Sequence, residues 1–278
     1  MGDISHPNII FILADDLGYG DVGCYGSEKI PSPHIDKIAS EGIRFTDAHS
    51  SSAVCSPSRY SIITGRYSWR SRLKRGVLWG YSWPIIEKDR PTIASILKKK
   101  GYHTAAIGKW HLGLKWPTPN YQPIMNLMEK KPNVDYTKPI KDGPISLGFD
   151  YFFGIPGSLD MHPYCFIEND HTVGIPSIMK EELYQQQVQG LMTPGWRDEE
   201  VDIKFTEKAK EFINKHVEEQ KDKPFFLYFC ASAPHRPCDI RPDFVIGESD
   251  AGDRGDMVVL FDWIVGQIYQ ELEHLGLL

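Results

Sequence analysis

Two short apolar runs and a third strand candidate, each followed by a cluster of polar residues, constrain the fold of this chain more than any other feature. Asn8-Ile-Ile-Phe-Ile-Leu-Ala14 leads into Asp15-Asp16, residues 103–107 lead to Lys109 and His111, and Pro224-Phe-Phe-Leu-Tyr-Phe-Cys230 leads to His235-Arg236. Continuous apolar runs of this length read as strands buried on both faces, the pattern of a parallel sheet. Helical segments stand between them. Residues 33–41 end at Gly42. The segment from Cys55 carries Pro57 in its first turn, with Ser56 as the expected cap and Gly65 as the stop. Residues 91–100 finish on three lysines, which suit the negative end of a helix dipole, and Gly101 follows. Val201, Phe205, Ala209, Phe212 and Ile213 fall at helical spacing within 199–219, and residues 256–275 form a last amphipathic helix. A further strand is expected over 42–47. Residues 116–198, rich in Pro, Gly and aromatics, read as long loops and short elements. Strands alternating with helices predict an α/β fold: a large, mostly parallel sheet flanked by helices.

The bulk numbers narrow the function classes. At 278 residues the chain is long enough for one large domain or two ordinary ones. A net charge of -6 argues against a nucleic-acid partner, and no stretch approaches the ~20 apolar residues of a membrane span. The first seven residues show no basic and then apolar pattern of a signal peptide. Five cysteines, odd in number and without a CxxC pair, argue against a disulfide framework or a zinc cluster.

In such folds ligands gather beyond the carboxyl ends of the strands. That rule alone brings Asp15-Asp16, Lys109 with His111, and His235 to one edge, and Cys55, at the start of a helix, can share it. Adjacent aspartates can ligate a hard cation, although the pair by itself is more often an Asx turn or helix cap. A helix start at Cys55 offers backbone N–H groups to an anion; a lone cysteine there is more often structural, or a low-pKa thiol. Arg59 lies one turn on, and His111 and His235 are residues that move protons near neutral pH. The aromatics Trp79, Trp83, Trp116, Tyr164 and Trp196 read first as ordinary packing and second as platforms for sugar rings.

Cys55-Ser56-Pro57-Ser58-Arg59, followed by Thr64-Gly65-Arg66, closely resembles the signature of the type I sulfatases, in the alkaline phosphatase superfamily. The resemblance extends to Pro7-Asn8-Ile9, to Asp15-Asp16-Leu-Gly-Tyr-Gly-Asp21, to Gly108-Lys-Trp-His-Leu-Gly113 and to Ala233-Pro234-His235, and it spans most of residues 7–275. Gly154-Ile-Pro-Gly-Ser158-Leu-Asp160 is similar to the family loop that brings a serine near the sulfate. The resemblance implies that Cys55 is oxidised to formylglycine by a formylglycine-generating or other sulfatase-maturing enzyme. Its hydrate attacks the sulfur of an aryl or carbohydrate sulfate ester. Asp15, Asp16 and the modified Cys55 are implied ligands of calcium, with magnesium the alternative cation. Arg59 is implied to stabilise the formylglycine, Lys109 and Ser158 to bind sulfate oxygens, His111 to act as a base, and His235 to lie at the leaving oxygen as acid or sulfate ligand.

The family pattern continues where this sequence stops. Members carry a further strand ending in a Ser/Thr-Asp-Asn/His-Gly motif, a later lysine and a smaller C-terminal domain. Ser249-Asp250-Ala251-Gly252 has Ala where that motif has Asn or His. Residues 1–278 are therefore expected to be the N-terminal part of a sulfatase catalytic domain, with an unpaired sheet edge and an uncovered face on the last helix. Two other readings stand beside sulfate-ester hydrolysis: a phosphodiesterase or phosphonate hydrolase of the same superfamily, and a non-catalytic remnant.

Overall fold

Every residue of the run Phe225–Cys230 is buried, and the main sheet is built around it. The structure, a computed structural model, describes residues 6–181 and 187–278. In chain order the elements are β1 (Ile9–Leu13), α1 (Pro33–Glu41), α2 (Cys55–Thr64), α3 (Ile93–Lys99), β2 (His103–Lys109), β3 (Tyr151–Ile155), β4 (Ile167–Glu168), β5 (His171–Thr172), β6 (Ile178–Lys180), β7 (Gly190–Met192), α4 (Val201–Gln220), β8 (Phe225–Cys230) and α5 (Gly252–His274). The sheet order is β1-β8-β2-β3-β4-β5. The first four strands in that order are parallel, and β4 and β5 add an antiparallel margin. β6 and β7 form a separate two-stranded sheet.

The pleat sorts side chains between two cores. Phe226, Tyr228 and Cys230 join Phe152, Tyr60 and Ile63 on one face. Phe225, Leu227 and Phe229 face α4 and α5 through Phe205, Phe212, Ile264 and Ile268 on the other. Successive residues of β8 thus feed opposite cores, which is why the run carries no charged residue.

Several expectations need correction. Residues 42–47 form no strand: they run as exposed coil, with Ile43 83% and Phe45 67% exposed. A strand needs a hydrogen-bonding neighbour strand, and among the described residues none pairs with these. Among the described residues β1 pairs with β8 alone, so the expected open sheet edge is present, at β1. The last helix, by contrast, is not left bare. α5 is packed between α1 and α4, and its Asp262 carboxylate accepts the Ile35 and His34 backbone N–H groups at 2.8 and 3.3 Å, tying it to the start of α1. Val54, not Ser56, precedes the first turn of α2, and the Ser56 hydroxyl instead accepts the Leu78 N–H at 3.0 Å. Within 116–198, read as long loops and short elements, the strands are indeed short, and the five-residue β3 pairs parallel with β2; residues 182–186 of that stretch, and residues 1–5, lie outside the described ones.

Two glycines let the strands close at the level where β2 delivers Lys109. Gly108 pairs in register with both Cys230 and Gly154. It has a φ of +111°, and a Cβ there would lie 1.9 Å from the Cys230 carbonyl oxygen; a Cβ on Gly154 would lie 1.9 Å from the Gly108 oxygen. Neither obstacle is a flexible side chain, so the sheet itself must part to admit a methyl group. Gly108→Ala is expected to lower unfolding free energy by at least about 2 kcal/mol, read as a shifted denaturant midpoint. An unchanged midpoint would show that the close approach does not constrain the sheet.

Candidate active site

The polar clusters arrive where the strand topology sends them. Beyond β1 the chain continues alongside the segment after β8: Ala231 N–H donates to the Leu13 carbonyl, and Asp15 N–H to the Ala233 carbonyl, each at 3.0 Å. Beyond β2, the Trp110 and His111 N–H groups donate to the carbonyls of Ile155 and Pro156 at 3.0 and 3.3 Å. Asp15, Lys109, His111, Ser158 and His235 are thereby fixed by backbone pairing at one end of the sheet. α2 brings Cys55 to the same end with its N-terminus foremost. Asp16 and His111 hold left-handed backbone angles, φ 65° and 55°, a conformation that costs energy and collects at functional sites.

At the centre, the buried Lys109 ammonium donates to the Asp15 carboxylate, to the Ser158 hydroxyl at 3.0 Å and to the Cys55 sulfur at 3.5 Å. Arg59, one turn into α2, donates to the Lys109 carbonyl at 2.7 Å and lies 3.7 Å from the same Asp15 oxygen. Ser158 also meets His235 Nδ1 at 3.1 Å, and His235 Nε2 lies 3.6 Å from Asp16. Every site residue expected from the sequence, Asp15, Asp16, Cys55, Arg59, Lys109, His111, Ser158 and His235, is thus at one locus. A cleft of about 450 Å³ opens beside it, lined by Cys55, His111, His235, Trp79, Asp160 and Arg236 among others.

The electrostatics follow from burial and from two cations. Burial alone would push the Asp15 carboxyl up, but Lys109 and Arg59 outweigh it and hold it well below the usual carboxylate range. Burial pushes the Cys55 thiol up, although Lys109 and Arg59 oppose it. Burial thus disfavours the thiolate form. His111 is fully buried; desolvation, then Lys109 and Arg59, drive its imidazole far below its ordinary value. Its Nε2 lies 2.6 Å from the Leu78 carbonyl, which can only accept, so Nε2 carries the proton. Nδ1 is left with its lone pair and no partner.

Comparison with known proteins agrees with this geometry: the family model described as Sulfatase matches residues 7–278. The chain belongs to the sulfatase family. Among curated relatives it is 37% identical over 307 residues to an N-acetylgalactosamine-6-O-sulfatase of Bacteroides thetaiotaomicron, covering 98% of this chain and 56% of that protein. It is 31% identical over 281 residues to human arylsulfatase A, covering 98% and 50%. A solved sulfatase from work on glycosaminoglycan metabolism by Bacteroides thetaiotaomicron superposes with a TM-score of 0.81 at 35% identity, covering 98% of this chain and 60% of that one. Ps i-CgsB, solved in complex with a neocarrahexaose, gives 0.70 at 26% identity, covering 96% and 55%. This sulfatase chain spans about half the length of the curated relatives it matches.

One residue that shapes the candidate site is silent in the sequence. Asp202, in the first turn of α4, is fully buried and accepts the Ser232 hydroxyl at 2.7 Å, the Ser232 N–H at 2.8 Å and the Ala233 N–H at 2.9 Å. It fixes the turn that ends in His235 and whose Ala233 carbonyl holds Asp15. An acidic residue in a first helical turn ordinarily signals only the dipole, so no pattern marks it. Of the aromatics, Trp116 and Tyr164 are core residues, whereas Trp79 lines the cleft.

Burial raises the Asp202 carboxyl to about 6, against three hydrogen bonds that favour ionisation. Folding therefore tightens its hold on a proton. That contribution is fully present below the ordinary carboxylate range and is lost as pH rises through about 6. The stability of the wild type relative to Asp202→Asn is expected to fall between about pH 4 and pH 6 and to level off above that, measured as the gap between their denaturant midpoints. A gap that stays constant, or widens, would contradict this.

Proposed function

We propose that the protein containing this chain hydrolyses sulfate esters of carbohydrate or aryl alcohols, through a formylglycine made from Cys55. The observation that carries the proposal is the buried Lys109 ammonium, which meets Asp15, Cys55 and Ser158 at once. It stands beside the N-terminus of a helix whose first turn holds no acidic residue, so the surroundings of Cys55 favour an incoming oxyanion. The sulfatase names of the relatives, and the saccharide bound to one structural neighbour, point to sulfate rather than phosphate, and to sugars.

A hydrated formylglycine at position 55 would supply the attacking hydroxyl: its oxygen would bond to sulfur as the bond from sulfur to the substrate's alcohol oxygen breaks, and its proton would leave to solvent. His235, beside Ser158, is placed to protonate that leaving oxygen. Lys109 and Ser158 hold the sulfate oxygens, and the positive pair Lys109 and Arg59 offsets the charge gathering on them. The second hydroxyl then gives its proton to His111, whose Nδ1 lone pair is unpartnered. The aldehyde reforms as its carbon–oxygen bond to the sulfate breaks, and sulfate departs. Maturation requires a formylglycine-generating or other sulfatase-maturing enzyme.

The donor set fits a hard cation in part. Asp15 is held ionised, Asp16 adjoins it, and a modified Cys55 would present oxygen in place of sulfur. Asp15, Cys55 and His235 have ligand atoms within 4.8 Å of one another, but nitrogen and sulfur donors suit softer metals than calcium. Asp15, Asp16 and modified Cys55 would hold calcium, or magnesium, which when bound polarises the attacking hydroxyl. Three residues fall short of the six to eight oxygens calcium takes. Calorimetry on this chain is expected to give a calcium Kd weaker than about 0.1 mM; tight binding by a monodisperse monomer would overturn that ligand count.

The central test is turnover of an aryl sulfate by the protein produced with a maturing enzyme. Cys55→Ala is expected to reduce the rate at least about 1,000-fold while leaving circular dichroism unchanged. Residual turnover above background in that variant, or a wild type that prefers an aryl phosphodiester, would refute the proposal.

A further inference from the structure

The chain carries a net negative charge, yet Arg66-Tyr-Ser-Trp-Arg-Ser-Arg-Leu-Lys-Arg75 holds five cations and no acid. The segment leaves α2 at Gly65 and runs over the surface to Val77 and Trp79, which line the cleft beside Cys55. Arg66 is paired with Glu87 at 2.9 Å. The others are exposed and lack carboxylate partners: among the described residues no ion pair engages Arg70, Arg72, Lys74 or Arg75. Arg72 donates to the carbonyls of Trp83 and Pro84, and Lys74 to that of Trp69 at 2.7 Å, contacts that order the segment without neutralising it.

An independent feature lies in the same ribbon. Tyr67 and Trp69 stack on each other with ring centroids 4.1 Å apart and an interplanar angle of 13°. They are 54% and 59% exposed. A stacked aromatic pair held in water is a surface waiting for an apolar face. Guanidinium groups around it supply forked donors for oxyanions. The C–H faces of pyranose rings and the sulfates and carboxylates of their substituents meet both requirements, and the ribbon ends at the cleft where a terminal sulfate ester would react.

We propose that residues 66–75 form an extended binding strip for an anionic polysaccharide, with Trp69 and Tyr67 as the sugar platform and Arg70 and Arg75 as sulfate or carboxylate contacts. The choice of a sulfated sugar rests on the sulfatase reading above. A single-stranded nucleic acid also has flat faces and anionic groups, but it carries no sulfate ester for the cleft to act on, whereas a sulfated sugar does. The strip feeds the cleft and holds no residue of the catalytic centre.

The test is a binding measurement, so it stands or fails apart from turnover. The full chain is titrated with a size-fractionated chondroitin sulfate, with the same saccharide after desulfation, and with a single-stranded oligonucleotide of matched charge. Binding of the sulfated saccharide is expected to weaken with added salt. It is expected to fall about tenfold in the Trp69→Ala/Arg70→Ala/Arg75→Ala variant, whose side chains are exposed and whose loss leaves the cores intact. Trp69→Ala alone is expected to weaken the sulfated saccharide more than the oligonucleotide. Unchanged affinity in the triple variant, equal binding of the desulfated saccharide, or tighter binding of the oligonucleotide would overturn the proposal.

Discussion

Two buried cations share one buried carboxylate. Lys109 from β2 and Arg59 from α2 both reach Asp15 beyond β1, and the cluster is almost wholly cut off from water. Charges there are tolerated only when paired, and removing one partner of a buried pair costs about 3–5 kcal/mol. Asp15 is therefore the hinge on which helix and strands agree. A one-residue slip of β1 against β8 would carry it to the opposite face of the sheet and leave both cations unpaired. The count is also unbalanced, with two positive groups against one negative within the cluster, so the surroundings of Cys55 are set to receive a further anion.

That imbalance explains why the other groups stand as they do. Lys109 keeps hydrogen bonds in reserve for Ser158 and the Cys55 position. His111, pressed between burial and the two cations, stays neutral and presents a bare lone pair. Asp202 does no chemistry, but three hydrogen bonds to its carboxylate set the turn that carries His235 and braces Asp15. The cleft and the basic ribbon lie outside this cluster, at a place where a chain of sugars could approach it.

Much of this was legible in the sequence because the determining signals are local. Apolar runs with no alternation mark buried parallel strands, and the polar residues just after them must gather at one sheet edge; Asp15, Lys109, His111 and His235 follow from that rule alone. Gly65 ends α2 and Pro57 sits in its first turn, as local chemistry requires. What escaped depends on distant partners. Residues 42–47 have strand composition, but among the described residues no strand pairs with them, and Ile43 and Phe45 face water. β3 is short and lies among prolines and glycines, and its pairing to β2 rests on Gly108 and Gly154 clearing space for each other. Asp202 and the stacked Tyr67 and Trp69 show no periodic pattern, because their roles come from what surrounds them in space.

The most direct measurement is the mass of the proteolytic peptide containing Cys55, taken from protein produced with a sulfatase-maturing enzyme. The predicted result is a residue 55 that has lost its sulfur and become an aldehyde, captured by a hydrazide probe. An unmodified, alkylatable thiol at Cys55 in protein that still cleaves sulfate esters would contradict it.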